Sequence, residues 1–158
     1  MIQRIQTVYL FLAAACSVAL FFFPVASFLS DLTYQKLFIT GLVNMAPGSP
    51  AALSGSLVSP LAGIGALMAI MALAGIFTYK KRALQLKLVM FGILLTVMMI
   101  AGIFFLYAPL IEKKLSVVPD YSGGIGIYFP LIALVLFILA NRAIRRDEKI
   151  VKSLDRLR

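Results

Sequence analysis

The sequence of 158 residues contains no histidine and a single cysteine, Cys16. The absence of histidine removes the commonest metal ligand and the one unperturbed side chain that titrates near neutral pH. A single cysteine excludes both an intramolecular disulfide and a multi-cysteine metal site. We therefore expect no metal and no cofactor, and cysteine usage leaves the redox compartment open.

Acidic and basic residues are missing from four long stretches, at 5–30, 37–79, 88–111 and 121–141. The whole chain is 62% hydrophobic and 13% charged, whereas soluble domains contain about 25% charged residues. Uncharged stretches leave no groups for proton relays or acid–base catalysis. An enzyme would depend on outer loops whose acids are Asp31, Glu112 and Asp120, so we expect no catalytic residues.

The four stretches predict an all-α integral membrane protein with a four-transmembrane-helix bundle, because each crossing needs about 20 apolar residues. The predicted spans of this single domain cover 7–29, 59–79, 88–108 and 126–143. Outer loops are expected at 30–58 and 109–125, an inner loop at 80–87, and a tail helix at 144–158. Pro24 is expected to kink the first span and Pro109 to end the third.

The first apolar run begins with a basic residue, Arg4, as a signal peptide would. It continues uncharged to Ser30, which is longer than the apolar core of about 7–15 residues in a signal peptide. We expect it to be retained as a span. Strand-like composition at 33–40 and 114–118 leaves two equal alternatives, a small extramembrane sheet and an irregular interfacial loop.

The second span carries small residues at spacings of three and four, which would let another helix approach closely. These residues are Ala62, Gly65, Ala66, Ala69, Ala72 and Gly75. Ser59 and Pro60, a hydroxyl cap followed by a proline, indicate where this span begins. In the third span Met90, Met98 and Met99 are interpreted as packing residues rather than copper ligands, because no second ligand type accompanies them.

Basic residues are distributed very unevenly if both termini are cytoplasmic. Twelve lysines and arginines then lie on the inner side, and three lie on the outer side: Lys36, Lys113 and Lys114. The positive-inside rule predicts this orientation. The formal charge of +9 is therefore interpreted as topology. Nucleic acid is a weak candidate partner, because the basic tail and inner loop contain no interleaved aromatic residues.

The stretch 140–158 contains neither glycine nor proline, so the fourth span is expected to continue as a helix into the cytoplasm. This helix has an apolar stripe, formed either by Ile144, Val151 and Leu154 or by Ile150, Leu154 and Leu157. A stripe beside basic residues suits an anchor on anionic headgroups and a docking helix for a partner protein equally well.

Polar residues at the inner face are the candidate contacts to a partner or to lipid headgroups. They are Arg4, Lys80, Lys81, Arg82, Asn141, Arg142, Arg145, Arg146, Asp147 and Glu148. Asn141 could also cap the inner loop. A polar residue that simply meets water at the interface is the favoured interpretation of Asn141, because the penalty for polar groups falls away from the bilayer centre.

The opening residues MIQRIQTVYL and the later stretch ANRAIRRDE at 140–148 together resemble a known family. This is a family of small four-helix inner-membrane proteins of the Bacteroidetes lineage, domain-of-unknown-function family 4293. The resemblance spans the whole chain, and its specific motifs lie at the two ends. It implies the four-span fold in a bacterial inner membrane, without an assigned activity or catalytic residues.

Together these observations favour a non-enzymatic accessory or structural subunit. Such a subunit would pack against a larger membrane complex and dock through its basic C-terminal helix. The alternative is a binder or carrier of a lipid or other apolar ligand within the helix bundle. Membrane lipids and a membrane-protein complex are the expected partners, and a homo-oligomer is a further alternative.

Overall fold

A computed structural model describes residues 3–29, 34–44, 58–115 and 124–155. These residues form helices α1 (Gln3–Ala19), α2 (Ser59–Phe77), α3 (Arg82–Ala101), α4 (Ala108–Leu115) and α5 (Tyr128–Asp155), and strands β1 (Ala26–Leu29), β2 (Tyr34–Phe38) and β3 (Gly41–Asn44). A π-helical segment (Gly102–Tyr107) joins α3 to α4, and a 3₁₀ turn (Ile125–Ile127) leads into α5. The described chain is mostly helical and carries a small sheet.

Helices α1, α2, α3 and α5 pack in a ring in which each contacts the next and α5 closes on α1. We name the end where α1 begins and α2 ends the basic end, and the opposite end the sheet end. Three helical segments among the described residues are long and apolar enough to cross a membrane: Ser59–Phe77, Arg82–Lys113 and Ile125–Val151. The apolar part of α1, Ile5–Ala19, is shorter.

The outward faces of the ring carry large apolar side chains. Phe22, Phe77 and Phe105 are 73%, 80% and 84% exposed. Apolar surface of this extent is rare on soluble monomers and is typical of proteins whose outer face meets lipid. The exposed faces thus agree with the three membrane-compatible helices.

The buried core divides into two clusters along the ring. The cluster at the sheet end joins the sheet to the helices and includes Leu20, Val25, Ile39, Met68 and Met99. The cluster at the basic end lies among the helices and includes Leu10, Ala72, Val89, Phe137 and Ile144. Closely packed apolar side chains gain many small dispersion contacts, so both ends of the ring are stabilised by packing.

The structure differs from the predicted helical span at 7–29. Helix α1 ends at Ala19, and β1 occupies 26–29. The N–H groups of Phe21 and Phe22 bond to the third carbonyl before them, which tightens the chain into a turn. Pro24 follows, and because it has no N–H and disfavours a helical residue before it, it separates helix from strand instead of kinking a longer helix.

The three strands form an antiparallel sheet in the order β1-β2-β3. Ala26 lies opposite Leu37, and Gln35 lies opposite Asn44. Of the two alternatives that the sequence left open, the small sheet is the one observed, and β2 falls within the strand-like stretch 33–40. The second stretch, 114–118, differs: Lys114 belongs to α4 together with Leu115, and 116–118 lie outside the described residues.

The sequence predicted that the third helix ends at Pro109. In the structure the helix that begins at Arg82 continues past this proline. The π-helical segment precedes the proline, and the N–H of Ala108 bonds to the carbonyl of Ile103, five residues earlier. Such a widened turn changes the pairing just before the residue that lacks an N–H, so the helix can continue through Pro109. It reaches Leu115 as α4.

The α2–α3 connection and the end of α5 can also be compared with the sequence predictions. The connection between α2 and α3 is confined to 78–81, shorter than the expected loop at 80–87, because α3 already begins at Arg82. Helix α5 runs without a break to Asp155. The predicted continuation of the fourth span into its tail helix is therefore confirmed as far as 155, and 156–158 lie outside the described residues.

A close backbone contact, here called the junction, connects the 3₁₀ turn before α5 to the turn after α1. The N–H of Gly126 donates to the carbonyl of Pro24 at 2.8 Å. A Cβ atom added at Gly126 would lie 2.6 Å from that oxygen and 2.7 Å from the carbonyl oxygen of Phe23. Because both obstacles are backbone atoms, only glycine fits here without moving the chain.

We expect Gly126→Ala to destabilise the protein by about 1–3 kcal/mol, the usual range for overpacking. Gly63→Ala is the matched control, because a Cβ there meets no atom within 4 Å and alanine favours a helix. Thermal unfolding in detergent can be followed with a thiol-reactive dye that reports exposure of Cys16. An unchanged midpoint for Gly126→Ala would contradict this account of the junction.

Candidate functional site

The candidate site lies at the basic end, where α1, α3 and α5 meet around the Asp147 carboxylate. Asp147 is 7% exposed, although it belongs to the last described turns of α5. The side-chain amide of Gln6 on α1 donates to its Oδ2 atom. Arg82 at the start of α3 donates from Nη1 to the main-chain oxygen of Asp147 at 3.2 Å.

The second carboxylate oxygen, Oδ1, has no hydrogen-bond partner within the described part of the chain. An ionised carboxylate removed from water is costly unless it is paired and hydrogen-bonded. The single amide from Gln6, which is itself 6% exposed, satisfies one oxygen only. Asp147 is thus a buried polar group that is incompletely satisfied.

A second buried amide connects α2 to α3. Gln85 is 3% exposed, and its Nε2 atom donates to the carbonyl oxygen of Gly75 at 2.9 Å. That carbonyl lies in the last turn of α2, where main-chain oxygens lack partners within the helix. The bond joins the two helices of the hairpin beside a cavity that Gln85 and Asp147 both line.

A cavity of about 630 Å³ opens beside these groups. Its polar lining includes Gln6, Arg82, Gln85 and Asp147, whereas most of its surface is apolar. The apolar lining residues are Val8, Phe11, Leu12, Ile76, Phe77 and Ile144. Pockets for small molecules have this combination of an apolar wall and a few convergent polar groups.

Of the predicted contact residues whose side chains are described, Arg82 and Asp147 line the cavity, and the others do not. Lys80, Lys81, Arg142, Arg145 and Arg146 are exposed, Arg82 and Glu148 are partly buried, and the side chain of Arg4 is not among those described. Asn141 accepts a bond from Arg145 Nε at 3.1 Å on the same helix, and Arg145 Nη2 lies 3.7 Å from the sulfur of Met90. A headgroup contact by Asn141 remains a prediction.

The predicted small-residue face of α2 is only partly covered. Gly65, Ala72 and Gly75 are buried, Ala62 and Ala69 are partly buried, and Ala66 is exposed. A Cβ added at Gly75 would lie 3.2 Å from Leu10 of α1, and one at Gly65 would lie 3.2 Å from Ile39 beside the sheet. The small residues therefore admit a helix at one end and the sheet at the other.

Charge counting could not locate Gln6 and Gln85, because both side chains are neutral. The burial of Asp147 had a signal that the sequence analysis missed. The buried residues of α5 recur at alternating steps of four and three: Ala133, Phe137, Ala140, Ile144 and Asp147. The acid continues this apolar stripe, whereas Ile150 and Val151 of the expected stripes are 42% and 40% exposed.

No group of three or more metal-ligating side chains occurs among the residues that the structure describes. The methionines of α3 point in different directions, since Met99 is fully buried while Met90 and Met98 are about half exposed. The polar side chains that line the cavity comprise one carboxylate, one guanidinium, two amides and the hydroxyl groups of Thr7 and Tyr79.

A double-mutant cycle tests the Gln6–Asp147 pair. We expect Gln6→Ala and Asp147→Ala to be coupled by about 1.5–3 kcal/mol, because the bond is buried and involves a charged acceptor. The measurement is the free energy of unfolding of both single variants and the double variant in detergent. The exposed pair Asn141 and Arg145 is the control and should be coupled by no more than about 0.5 kcal/mol. Additivity at the buried pair would refute the contact.

Comparison with characterised proteins and with solved structures gives no match. The model of one family, described as a domain of unknown function, DUF4293, matches residues 2–157. The match includes every helix and strand described above, among them the first turns of α1 and the last turns of α5. The chain therefore belongs to the DUF4293 family.

Proposed function

We propose that this chain is a non-enzymatic bacterial inner-membrane protein that binds an amphiphilic lipid in the cavity at its basic end. The observation that carries the proposal is the incompletely satisfied carboxylate of Asp147 on the wall of an apolar cavity. A group of this kind destabilises an empty protein and becomes favourable when a ligand supplies a donor.

The dimensions and lining of the cavity support a lipid rather than a small polar metabolite. Its volume of about 630 Å³ falls within the range of about 300–1,000 Å³ for ligand pockets. The lining combines one carboxylate and one guanidinium with amides and aromatic or aliphatic side chains, and it contains no histidine and no cysteine among the described residues. This set suits binding better than acid–base catalysis.

The proposed setting is a four-helix transmembrane bundle with both termini in the cytoplasm. The concentration of lysine and arginine at the basic end supports this orientation. In this orientation the cavity would lie at the cytoplasmic headgroup level. A reporter enzyme fused after Arg158 should be active on the cytoplasmic side, and periplasmic activity would overturn the orientation.

The lipid-binding proposal predicts that filling the cavity removes the lipid. Val8 lines the cavity and is 53% exposed, so Val8→Trp should occupy the space without disturbing the core. We expect bound lipid, measured by mass spectrometry after purification in mild detergent, to fall about tenfold. Val135→Trp is the matched control, because Val135 is 56% exposed on α5 and does not line the cavity. Equal lipid in both variants would argue against the site.

A second candidate function, an accessory subunit of a larger membrane complex, is favoured by the end of α5. The helix continues past Asp147 to Asp155, and it exposes Ile150 and Val151 beside Lys149. Apolar side chains among basic ones on a projecting helix suit docking to another protein.

The docking proposal predicts that an acid on this surface releases the partner. Val151→Asp should remove a protein that otherwise copurifies stoichiometrically in mild detergent, because it places a charge in an apolar contact. Val43→Asp is the control: the same substitution at similar exposure, 44%, in β3 at the sheet end. Native mass would distinguish a foreign subunit from a second copy of this chain, and an unaltered complex in Val151→Asp would contradict docking through this surface.

A further inference from the structure

The unsatisfied oxygen of Asp147 constrains the headgroup of the ligand. Asp147 lines the cavity, and its Oδ1 atom lacks a partner within the described residues. Oδ1 is itself buried, so a ligand in the cavity reaches it only when the carboxyl group turns about its terminal torsion, which is soft in aspartate. The missing partner must be a hydrogen-bond donor, and a cation satisfies the negative charge as well.

Arg82 places a positive charge on the wall of the same cavity. A guanidinium has five N–H donors in a planar fork. One nitrogen, Nη1, bonds to the main-chain oxygen of Asp147, and the fork geometry suits a phosphate on its remaining side. A ligand that matches both Asp147 and Arg82 therefore carries an ammonium group and a phosphate group close together.

The apolar lining continues away from these charges along α1. Gln6 and Thr7 lie at the polar rim, and Val8, Phe11 and Leu12 follow toward the centre of the helix. A separate apolar groove of about 480 Å³ shares Phe11 with the cavity and is lined further along α1 by Val18. From Val8 to Val18 the helix rises about 15 Å, which is roughly half the thickness of the bilayer hydrocarbon.

We propose that the cavity binds a phospholipid with a primary ammonium headgroup, of the phosphatidylethanolamine type. The ammonium donates to Asp147, the phosphate meets Arg82, and an acyl chain follows α1 across Phe11 into the groove. This inference rests on the proposed lipid-binding function and specifies its ligand. It assigns the buried acid to headgroup selection.

The carboxylate discriminates between the common phospholipid headgroups. A choline group carries the same charge as ethanolamine but has no N–H to donate, so it leaves Oδ1 without a hydrogen bond. A glycerol headgroup offers hydroxyl donors but leaves the lipid with a net negative charge beside Asp147. Ethanolamine alone among these three supplies a positive charge and donors together.

The test is a methylation series on the full chain in detergent. Dioctanoyl phospholipids with ethanolamine, N-methyl, N,N-dimethyl and choline headgroups, and with glycerol, are titrated and their bound fractions measured by native mass spectrometry. We expect affinity to fall at least about tenfold from ethanolamine to choline. The largest step should be the last methylation, which removes the final N–H donor.

Two variants assign the preference to its residues. Asp147→Asn keeps an acceptor for Gln6 and should bring the ethanolamine-to-choline ratio close to one. Glu112→Gln also replaces an acid by its amide, on the exposed face of α4. This control variant should retain the ethanolamine-to-choline ratio. Arg82→Gln should weaken ethanolamine and choline lipids by similar factors, since both carry the phosphate.

The outcomes separate this inference from the function on which it rests. Equal binding across the series, or tightest binding of the glycerol lipid, would overturn the headgroup assignment and leave lipid binding in place. Binding of none of the five lipids would overturn both. If Asp147→Asn does not fold, the methylation series on the unaltered chain still decides the question.

Discussion

Backbone hydrogen bonds that cannot be made to water determine where the helices of this chain end, widen and continue. In apolar surroundings each N–H and C=O group needs a partner within the chain. Pro24 interrupts this pairing after α1. The N–H of Gly126 donates to the carbonyl oxygen of Pro24 and so provides that oxygen with a partner. Before Pro109 the π-helical segment changes the pairing instead. The same constraint thus ends one helix and preserves another.

The polar side chains of the basic end obey a related rule with one exception. Gln85 meets a carbonyl that the end of α2 would otherwise leave unpaired, so its burial stabilises the hairpin. Asp147 gains one bond from Gln6 and keeps an oxygen without a described partner. An apolar side chain of similar size at a buried position is often as stable or more stable. Packing alone therefore does not account for an acid at this position, which is the physical reason for connecting it with a ligand.

Much of the helical architecture could be predicted from the sequence, because uncharged length is a direct measure of a helix that can cross a bilayer. The start of α2 agrees with the proline signal at Pro60, but the predicted hydroxyl cap is wrong, because Val58 occupies the cap position and Ser59 is the first helical residue. The unbroken course of α5 follows from the lack of glycine and proline. The fate of the two prolines could not be predicted in this way. Pro24 separates a helix from a strand that pairs with residues further along the chain, and the accommodation of Pro109 depends on a change in helix type. At the candidate site, Asp147 was among the predicted contacts, but its partner Gln6 lies 141 positions away.

The unequal lengths of the helices have a consequence for how the protein would sit in a bilayer. Helix α2, at 19 residues, rises about 28 Å and nearly matches the hydrocarbon thickness of about 30 Å. The continuous segment Arg82–Lys113, at 32 residues, rises about 48 Å. Tilt alone cannot absorb this difference in length, because α3 packs along α2 from a short hairpin. The additional length of this segment would project at the sheet end. Helix α4 would then lie beyond the hydrocarbon, at the same end as the small sheet.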